Sequence, residues 1–280
     1  MAVLVVYEYD LVQVNAWQTL SGWLKQDRRS GFKLEQVLVY DNSPGPRAEI
    51  AAATNGCTYI HDGRNGGTKA AYELAAAIAS DAAIDWLMLL DQDTSLPSGL
   101  LDAAAASLAN CPVSPGALVP WVLHDEKVIS PARITLFGTV RPLVRGQEVS
   151  RLTGMSAVAS GSLIYVPALR AIQPLPNLLW LDYVDHWIFW RMGRLGWKIV
   201  VIDAVIQHSL SVETPAALSR SRIHGILESE AVFIAQLGIM ARVIYPVRLL
   251  TRIVRYALVS PRTAGYLAKW LLDRKVRSTC

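Results

Sequence analysis

The sequence predicts an α/β fold built on a mostly parallel sheet. Apolar runs that suit strands alternate with helical stretches through the first half of the chain. One of those runs, Trp86–Leu90, stops abruptly at two carboxylates, Asp91 and Asp93. A glycine-rich turn, Asp62–Lys69, joins a third strand to a helix. At 280 residues, 52% hydrophobic and 18% charged, the chain can bury a sizeable core in one large domain or two small ones.

The first expected strand, Ala2–Tyr9, opens on a continuous apolar run, as a strand covered on both faces does. Further strands are expected at Gln36–Tyr40, Cys57–His61 and Asp85–Leu90, with helices Val14–Lys25, Arg47–Thr54 and Thr68–Ser80 between them. Right-handed crossovers put all these strand ends on one rim, where open α/β sheets bind ligands. Past Pro97, Ser98–Ala109 reads as a helix and Ala117–Val122 as a strand. Residues 124–153 read as irregular and rich in Pro, Gly and Arg, a stretch that suits an active-site loop. Ala157–Val166 is expected as a strand carrying Ser160-Gly161-Ser162, followed by the aromatic and acidic segment Leu178–Arg194. A strand, Lys198–Ile202, and the segment Val205–His208 come next, and everything after Thr214 reads as helical.

Cys57, Cys111 and Cys280 are odd in number and far apart, with no metal-ligand spacing, so neither a disulfide framework nor a zinc site is expected. A reducing cytoplasm is the simplest compartment. The first residues lack a basic leader, and no uncharged apolar stretch reaches the length of a membrane span. The net charge of +4 is uneven. Residues 242–277 hold nine basic residues and one acid, +8, which leaves −4 for the remainder.

Four local constellations suit chemistry. Residues two apart in an extended segment point the same way, so Asp91 and Asp93 can face one hard cation such as Mg²⁺ or Mn²⁺. A solvated turn is the simpler account of an isolated pair. Asp41 and Asn42 end the second strand; a carboxylate there can accept from a pyrimidine imide N–H or can simply close a turn. Asn65, Gly66, Gly67 and Lys69 precede a helix whose N–H groups favour a phosphate, although neither a Walker A sequence nor G-x-G-x-x-G is present. Asp182, Asp185 and His186 sit among Trp180, Tyr183, Trp187, Phe189 and Trp190, with Arg191 following. Apolar surroundings suit a general base and aromatic faces suit sugar rings, but either acid can also serve as a helix cap. His208 ends an apolar segment and gains a ligand role only in company with other donors.

In their order, Asn15–Gln26, Val39-Tyr40-Asp41-Asn42-Ser43, Asn65-Gly66-Gly67, Leu90-Asp91-Gln92-Asp93-Thr94, Leu181-Asp182-Tyr183-Val184-Asp185-His186 and His208 resemble family 2 glycosyltransferases with the GT-A fold. The D-Q-D form with D-Y-V-D is similar to the bacterial rhamnosyltransferase-type members. The resemblance covers about residues 1–210. It implies a Rossmann-like nucleotide-binding mixed sheet flanked by helices, with a C-terminal helical extension. The transferase domain is then 1–214, with 1–95 as the nucleotide-sugar half and 96–214 as the acceptor half; beyond His208 the resemblance fades, and helical periodicity and charge alone make 215–280 basic amphipathic helices. The resemblance further implies a nucleoside-diphosphate sugar donor, with dTDP-L-rhamnose favoured over a UDP-hexose, a Mg²⁺ or Mn²⁺ ion, and inversion at the anomeric carbon. Tyr7, Asp41, Asn42, Asn65, Gly66, Gly67, Lys69, Asp91, Gln92 and Asp93 would meet the donor. Asp93 and His208 would bind the metal, and Asp185 would be the general base. Asp182, His186, Trp187 and Arg191 would meet a glycan or lipid-linked glycan acceptor.

In the tail, Arg248, Arg252 and Arg255 share a helical face among apolar residues, the build of an interfacial membrane helix. A docking or dimer helix is the other account. Nucleic-acid binding is not expected, because the tail is as apolar as it is basic. The implied enzyme is peripheral on the cytoplasmic membrane face. A nucleotidyltransferase would want a basic glycine-rich loop where Glu8 and Asp10 stand. A scaffold with a decayed transferase domain is the reading without catalysis.

Overall fold

The computed structural model describes residues 1–11, 14–26, 31–47, 49–50, 57–145, 154–208 and 218–277, with the backbone alone for 208 and 274–277. Most of the expected helix Arg47–Thr54 lies outside the described residues. The chain divides into two compact units, Met1–Arg133 with Arg141–Ser209 and Ile134–Val140 with Leu210–Cys280.

In the first unit the parallel strands are β1 (Ala2–Val6), β2 (Val37–Asp41), β3 (Thr58–His61) and β4 (Trp86–Asp91). β1 is buried along its whole length and pairs in parallel with β2 on one side and β4 on the other. Its register is decisive for the rim: Val6 lies opposite Asp41 and Val5 opposite Asp91. The two acids thus flank the carboxyl end of one strand. The sheet continues through β5 (Thr94–Ser95), β6 (Ala117–His124), β11 (Leu163–Tyr165) and β12 (Ile199–His208), in the order β3-β2-β1-β4-β11-β6-β12-β5. β11 runs antiparallel to both β4 and β6, so the sheet is mixed.

Helices cover both faces. Ala2, Leu4 and Val6 of β1 share a core with Trp17 and Leu20 of α1 (Asn15–Leu24) and with Leu100, Leu101 and Ala104 of α3 (Leu100–Ala109). The alternate residues Val3 and Val5 are buried on the other face, where α2 (Gly67–Asp81) packs on β1 and β4. α2 buries Ala71, Ala75, Ala76 and Ala79, one apolar stripe at helical spacing. Two short helices follow, α4 (Val166–Ala171) and α5 (Val184–Arg194).

Two stretches differ from the sequence expectation. Of the stretch 124–153, residues 146–153 lie outside the described residues, and 124–145 are not simply irregular: β7 (Lys127–Ser130) pairs with β6, and β8 (Ala132–Ile134) and β9 (Val140–Pro142) form a small sheet with β10 (Met155–Ser156). Strands this short carry too few residues for an alternating pattern to show. Ala157–Val166 is not one strand either. Gly161 turns there at φ 79°, and a Cβ on it would collide with the Ile206 side chain, so pairing begins only at Leu163. β12 in turn joins the two segments expected on either side of 203, with a bulge between Val201 and Val205.

The second unit holds α6 (Arg220–Gln236), α7 (Ile239–Val259) and α8 (Pro261–Arg277). Ser219 caps α6 by accepting from the Arg222 N–H at 3.1 Å. Ile223, Leu227, Ala231 and Ile234 of α6 share a core with Ala241, Tyr245 and Leu249 of α7 and Leu267 and Trp270 of α8. Within it lies a buried carboxylate, Glu230. Arg252 donates to both Glu230 oxygens at 2.8 Å, Arg248 lies 3.7 Å away, and the Tyr245 hydroxyl donates at 3.3 Å. Arg248 and Arg252 therefore close on Glu230, where sequence spacing had put them on a face meant for headgroups. A carboxylate buried without a partner is costly, so Glu230 requires the adjoining arginines as its counter-charges. Among the described residues no helix is long and apolar enough to cross a membrane.

Glu230→Ala removes one side of this cluster and strands two arginines. It should cost about 3 kcal/mol, read by urea denaturation, the lower part of the range for breaking a buried pair because both arginines keep some water.

Candidate active site

The rim at the carboxyl ends of β1, β2 and β4 gathers most of the residues singled out by sequence. Asp91 ends β4, and the turn through Gln92 and Asp93 leads straight into β5. Three anchors hold that turn. The Ser160 hydroxyl accepts the Asp91 N–H at 2.9 Å and also bonds the Thr94 hydroxyl. Gln92 Oε1 accepts the Tyr7 N–H at 2.7 Å, tying the turn to the end of β1. Antiparallel pairing sets Gln207 against Ser95 and His208 against Thr94, so the His208 backbone lies one residue from Asp93 in the ladder. The His208 side chain is outside the described set.

Asp185 reaches the same place from the other half of the unit. It stands in the first turn of α5, where a helix start favours a carboxylate, and its Oδ1 accepts the His186 N–H at 2.7 Å. Tyr183, in the left-handed region at φ 61°, precedes it at the helix start in place of an Asp182 or Asp185 cap. The three acids feel one another. Burial first, and then the Asp93 and Asp185 charges, together push the Asp91 carboxyl up to about 7. Tyr72 of α2, fully buried, is held protonated by burial and by the charges of Asp91 and Asp185. Carboxylates crowded in this manner are a site that a divalent cation would relieve. Among the described residues no group of three His, Cys, Asp or Glu side chains stands ready to hold a metal. Asp93 remains an oxygen donor, and an imidazole added by His208 would give the mixed oxygen and nitrogen set that suits Mn²⁺.

The residues expected to meet a donor are tied down more tightly than their sequence suggests. Asp41 is fully buried; its Oδ1 accepts the Ser43 N–H at 2.9 Å and its Oδ2 accepts the Tyr59 hydroxyl at 2.7 Å. Asn42 Oδ1 accepts the Gly67 N–H at 3.2 Å. The Lys69 N–H donates to the Trp180 carbonyl at 3.1 Å, and Lys69 Nζ pairs with Glu73 at 2.7 Å. The start of α2 is thus no open phosphate cradle. Its N–H groups at Gly67 and Lys69 already have acceptors, Asn42 at the end of β2 for the first and the segment before α5 for the second. That closeness explains the glycines. A Cβ on Gly67, at φ 69°, would run into the Trp180 carbonyl, and one on Gly66 would come within 2.8 Å of Asp62 Oδ2. Asn65 also sits at positive φ, its N–H bonded to the Asp62 carbonyl. Asp62 is held ionised by Arg64 and by the Tyr40 hydroxyl at 2.6 Å. Tyr7 and Arg191 are exposed, and Asp182 and His186 are half-buried. His186 Nδ1 lies 2.6 Å from the Ser156 hydroxyl, whereas Trp187 is buried with Ile188 and Phe189 and belongs to the packing of α5.

Sequence reasoning gave no role to Ser160, Thr94, Tyr72 or Ser156. A serine beside a glycine after an apolar run is the one available signal for Ser160, and nothing in the sequence pairs Tyr72 with acids at the rim.

No family model matches the chain, and no curated protein matches its sequence. Among solved structures it is similar to GalNAc-T7 crystallised with UDP, GalNAc and Mn²⁺, at TM-score 0.57 and 12% identity over 86% of this chain and 52% of that one. The chain thus spans about half the length of that structure. It is also similar to residues 1–349 of S. aureus TarS in complex with UDP-GlcNAc, at TM-score 0.50 and 14% identity over 91% of this chain and 72% of that one. These likenesses show the fold: a GT-A mixed sheet flanked by helices.

The raised Asp91 carboxyl has a stability signature. Between about pH 4 and about 7 the folded chain keeps a proton that the unfolded chain has released, so stability falls as pH rises through that window. In chelator, Asp91→Asn should flatten this fall and raise the melting temperature above pH 7. Added Mn²⁺ should raise that of the unsubstituted protein alone or by more. In urea denaturation Gly67→Ala should cost more than the about 1–3 kcal/mol of positive-φ strain, because its Cβ also displaces the Trp180 carbonyl.

Proposed function

We propose that the chain is an inverting, metal-dependent glycosyltransferase of the family 2 type, transferring L-rhamnose from dTDP-L-rhamnose to a glycan or lipid-linked glycan. The observation that carries this is that the charges of Asp93 and Asp185 both bear on Asp91 at the rim of a GT-A sheet.

Asp185 removes the proton from the acceptor hydroxyl as its oxygen attacks the anomeric carbon. The new C–O bond forms on the face opposite the departing diphosphate, which leaves with the electron pair of the broken bond. A nucleoside diphosphate needs no general acid, so one carboxylate suffices where a hydrolase needs two flanking the bond. Asp93 and His208 would hold Mg²⁺ or Mn²⁺, which supplies charge stabilisation for the diphosphate. Asp91, whose proton is held to near neutrality, faces the donor sugar or ribose. Tyr7 and Gln92, bonded to each other, and Asp41, Asn42 and Asn65–Gly67 shape the nucleoside side. Lys69 serves that side indirectly, through Glu73, whose other oxygen takes the Leu175 N–H. Asp182, His186 and Arg191 frame the acceptor. The enzyme works peripherally at the cytoplasmic membrane face through residues 242–280. A UDP-hexose is the second donor reading, favoured by the UDP and UDP-GlcNAc in the two similar structures.

Thermal-shift measurements with dTDP, UDP and dTDP-L-rhamnose, with and without Mn²⁺, test the donor site. A ligand at 100 times its Kd stabilises by about 2.7 kcal/mol. The expected order is dTDP above UDP, larger with Mn²⁺; no shift with any of them sinks the reading. Asp185→Asn should keep the nucleotide shift and lower transfer about 10²–10⁴-fold.

A further inference from the structure

α7 carries an apolar stripe that nothing in its own unit covers. Ile239, Val243, Val247, Leu250, Val254 and Leu258 are each more than half exposed, up to 88% at Leu258. At 3.6 residues per turn these positions fall within one third of the helix circumference and run its whole length. The opposite side of the same helix buries Ala241, Tyr245 and Leu249 in the core of the unit. A continuous exposed stripe of this kind marks an interaction surface.

Charge identifies the occupant. α7 contains four arginines and no acid. Arg248 and Arg252 turn away from the stripe onto Glu230. Arg242 and Arg255 are exposed and lie on its two borders. α8 adds exposed Arg262 and Lys269. An apolar band edged on both sides by cations matches the boundary between acyl chains and anionic headgroups. A second copy of the chain would set arginine borders against arginine borders with no acid on α7 to answer them.

We propose that the face of α7 running from Ile239 to Leu258 is an insertion surface for anionic phospholipid, and that Glu230 keeps Arg248 and Arg252 out of the lipid contact. This rests on the peripheral-membrane part of the reading above and names the residues that carry it. Apolar burial by the stripe then sets the affinity, and Arg242 and Arg255 set its dependence on lipid charge and salt.

The test is co-sedimentation of the full chain with phosphatidylcholine vesicles, with and without phosphatidylglycerol. Binding is expected with phosphatidylglycerol. Val254→Glu with Leu258→Glu, both at exposed positions, should weaken it at least about tenfold, and Arg242→Gln or Arg255→Gln roughly fivefold each on anionic vesicles alone. Unchanged binding by the double variant overturns the stripe and leaves a membrane role for other residues. No binding by the intact chain, together with a dimer in sedimentation velocity that the double variant dissolves, assigns the stripe to a second copy and ends the membrane reading too. Neither result touches the donor site, which the nucleotide shifts report separately.

Discussion

Repulsion among carboxylates at one rim of the sheet is the constraint around which the first unit is organised. Val5 and Val6 fix the level at which Asp91 and Asp41 emerge, and α5 delivers Asp185 from the far half. Burial, with the charges of Asp93 and Asp185 added to it, raises the proton affinity of Asp91. Such a cluster costs free energy, and it survives only because the backbone around it is over-determined. Ser160 holds the Asp91 N–H and the Thr94 hydroxyl together, Gln92 is tied to Tyr7, and β5 is zipped to the end of β12. Rigid turns of this sort suit a reaction whose barrier falls through fixed charges aimed at a departing diphosphate.

The sheet half of the fold was legible because its signal is long-range and simple. Continuous apolar strands and 3.6-residue periodicity survive in a single sequence, and β1, β2, β3 and β4 lie within a few residues of their expected bounds. Asp91, Asp93 and Asp185 were legible as chemistry because each is a charged residue at the edge of an apolar run. What stayed hidden depends on contacts between distant segments. No local pattern says that the Gly67 and Lys69 N–H groups are consumed by Asn42 and Trp180, so the turn reads as a phosphate cradle when it is in fact a packed joint. Tyr72 looks like any core aromatic of an alanine-rich helix. Trp187 looks like a sugar platform until its burial is seen. β7, β8 and β9 are too short for their pairing to leave a trace in residues 124–153.

The tail teaches a related lesson about counting charge. Arginine spacing alone puts Arg248, Arg252 and Arg255 on a single face, yet Glu230, invisible to any count confined to α7, withdraws the first two. The amphipathic character of α7 then comes from its aliphatic residues, with cations at the borders. Spacing within α7 cannot show that two of its three aligned arginines are engaged by an acid on α6.

The joint between Gly67 and Trp180 has a bearing on how this fold can vary. The segment leading to Asp185 does not simply hang beside the parallel half of the sheet; its Trp180 carbonyl caps α2, and the Leu175 N–H rests on Glu73 of the same helix. The 172–194 segment and α2 are therefore not interchangeable parts. A chimera that imports a new 172–194 segment inherits an α2 shaped for another backbone. Exchange succeeds only when the graft brings with it the glycines and the glutamate on which it docks.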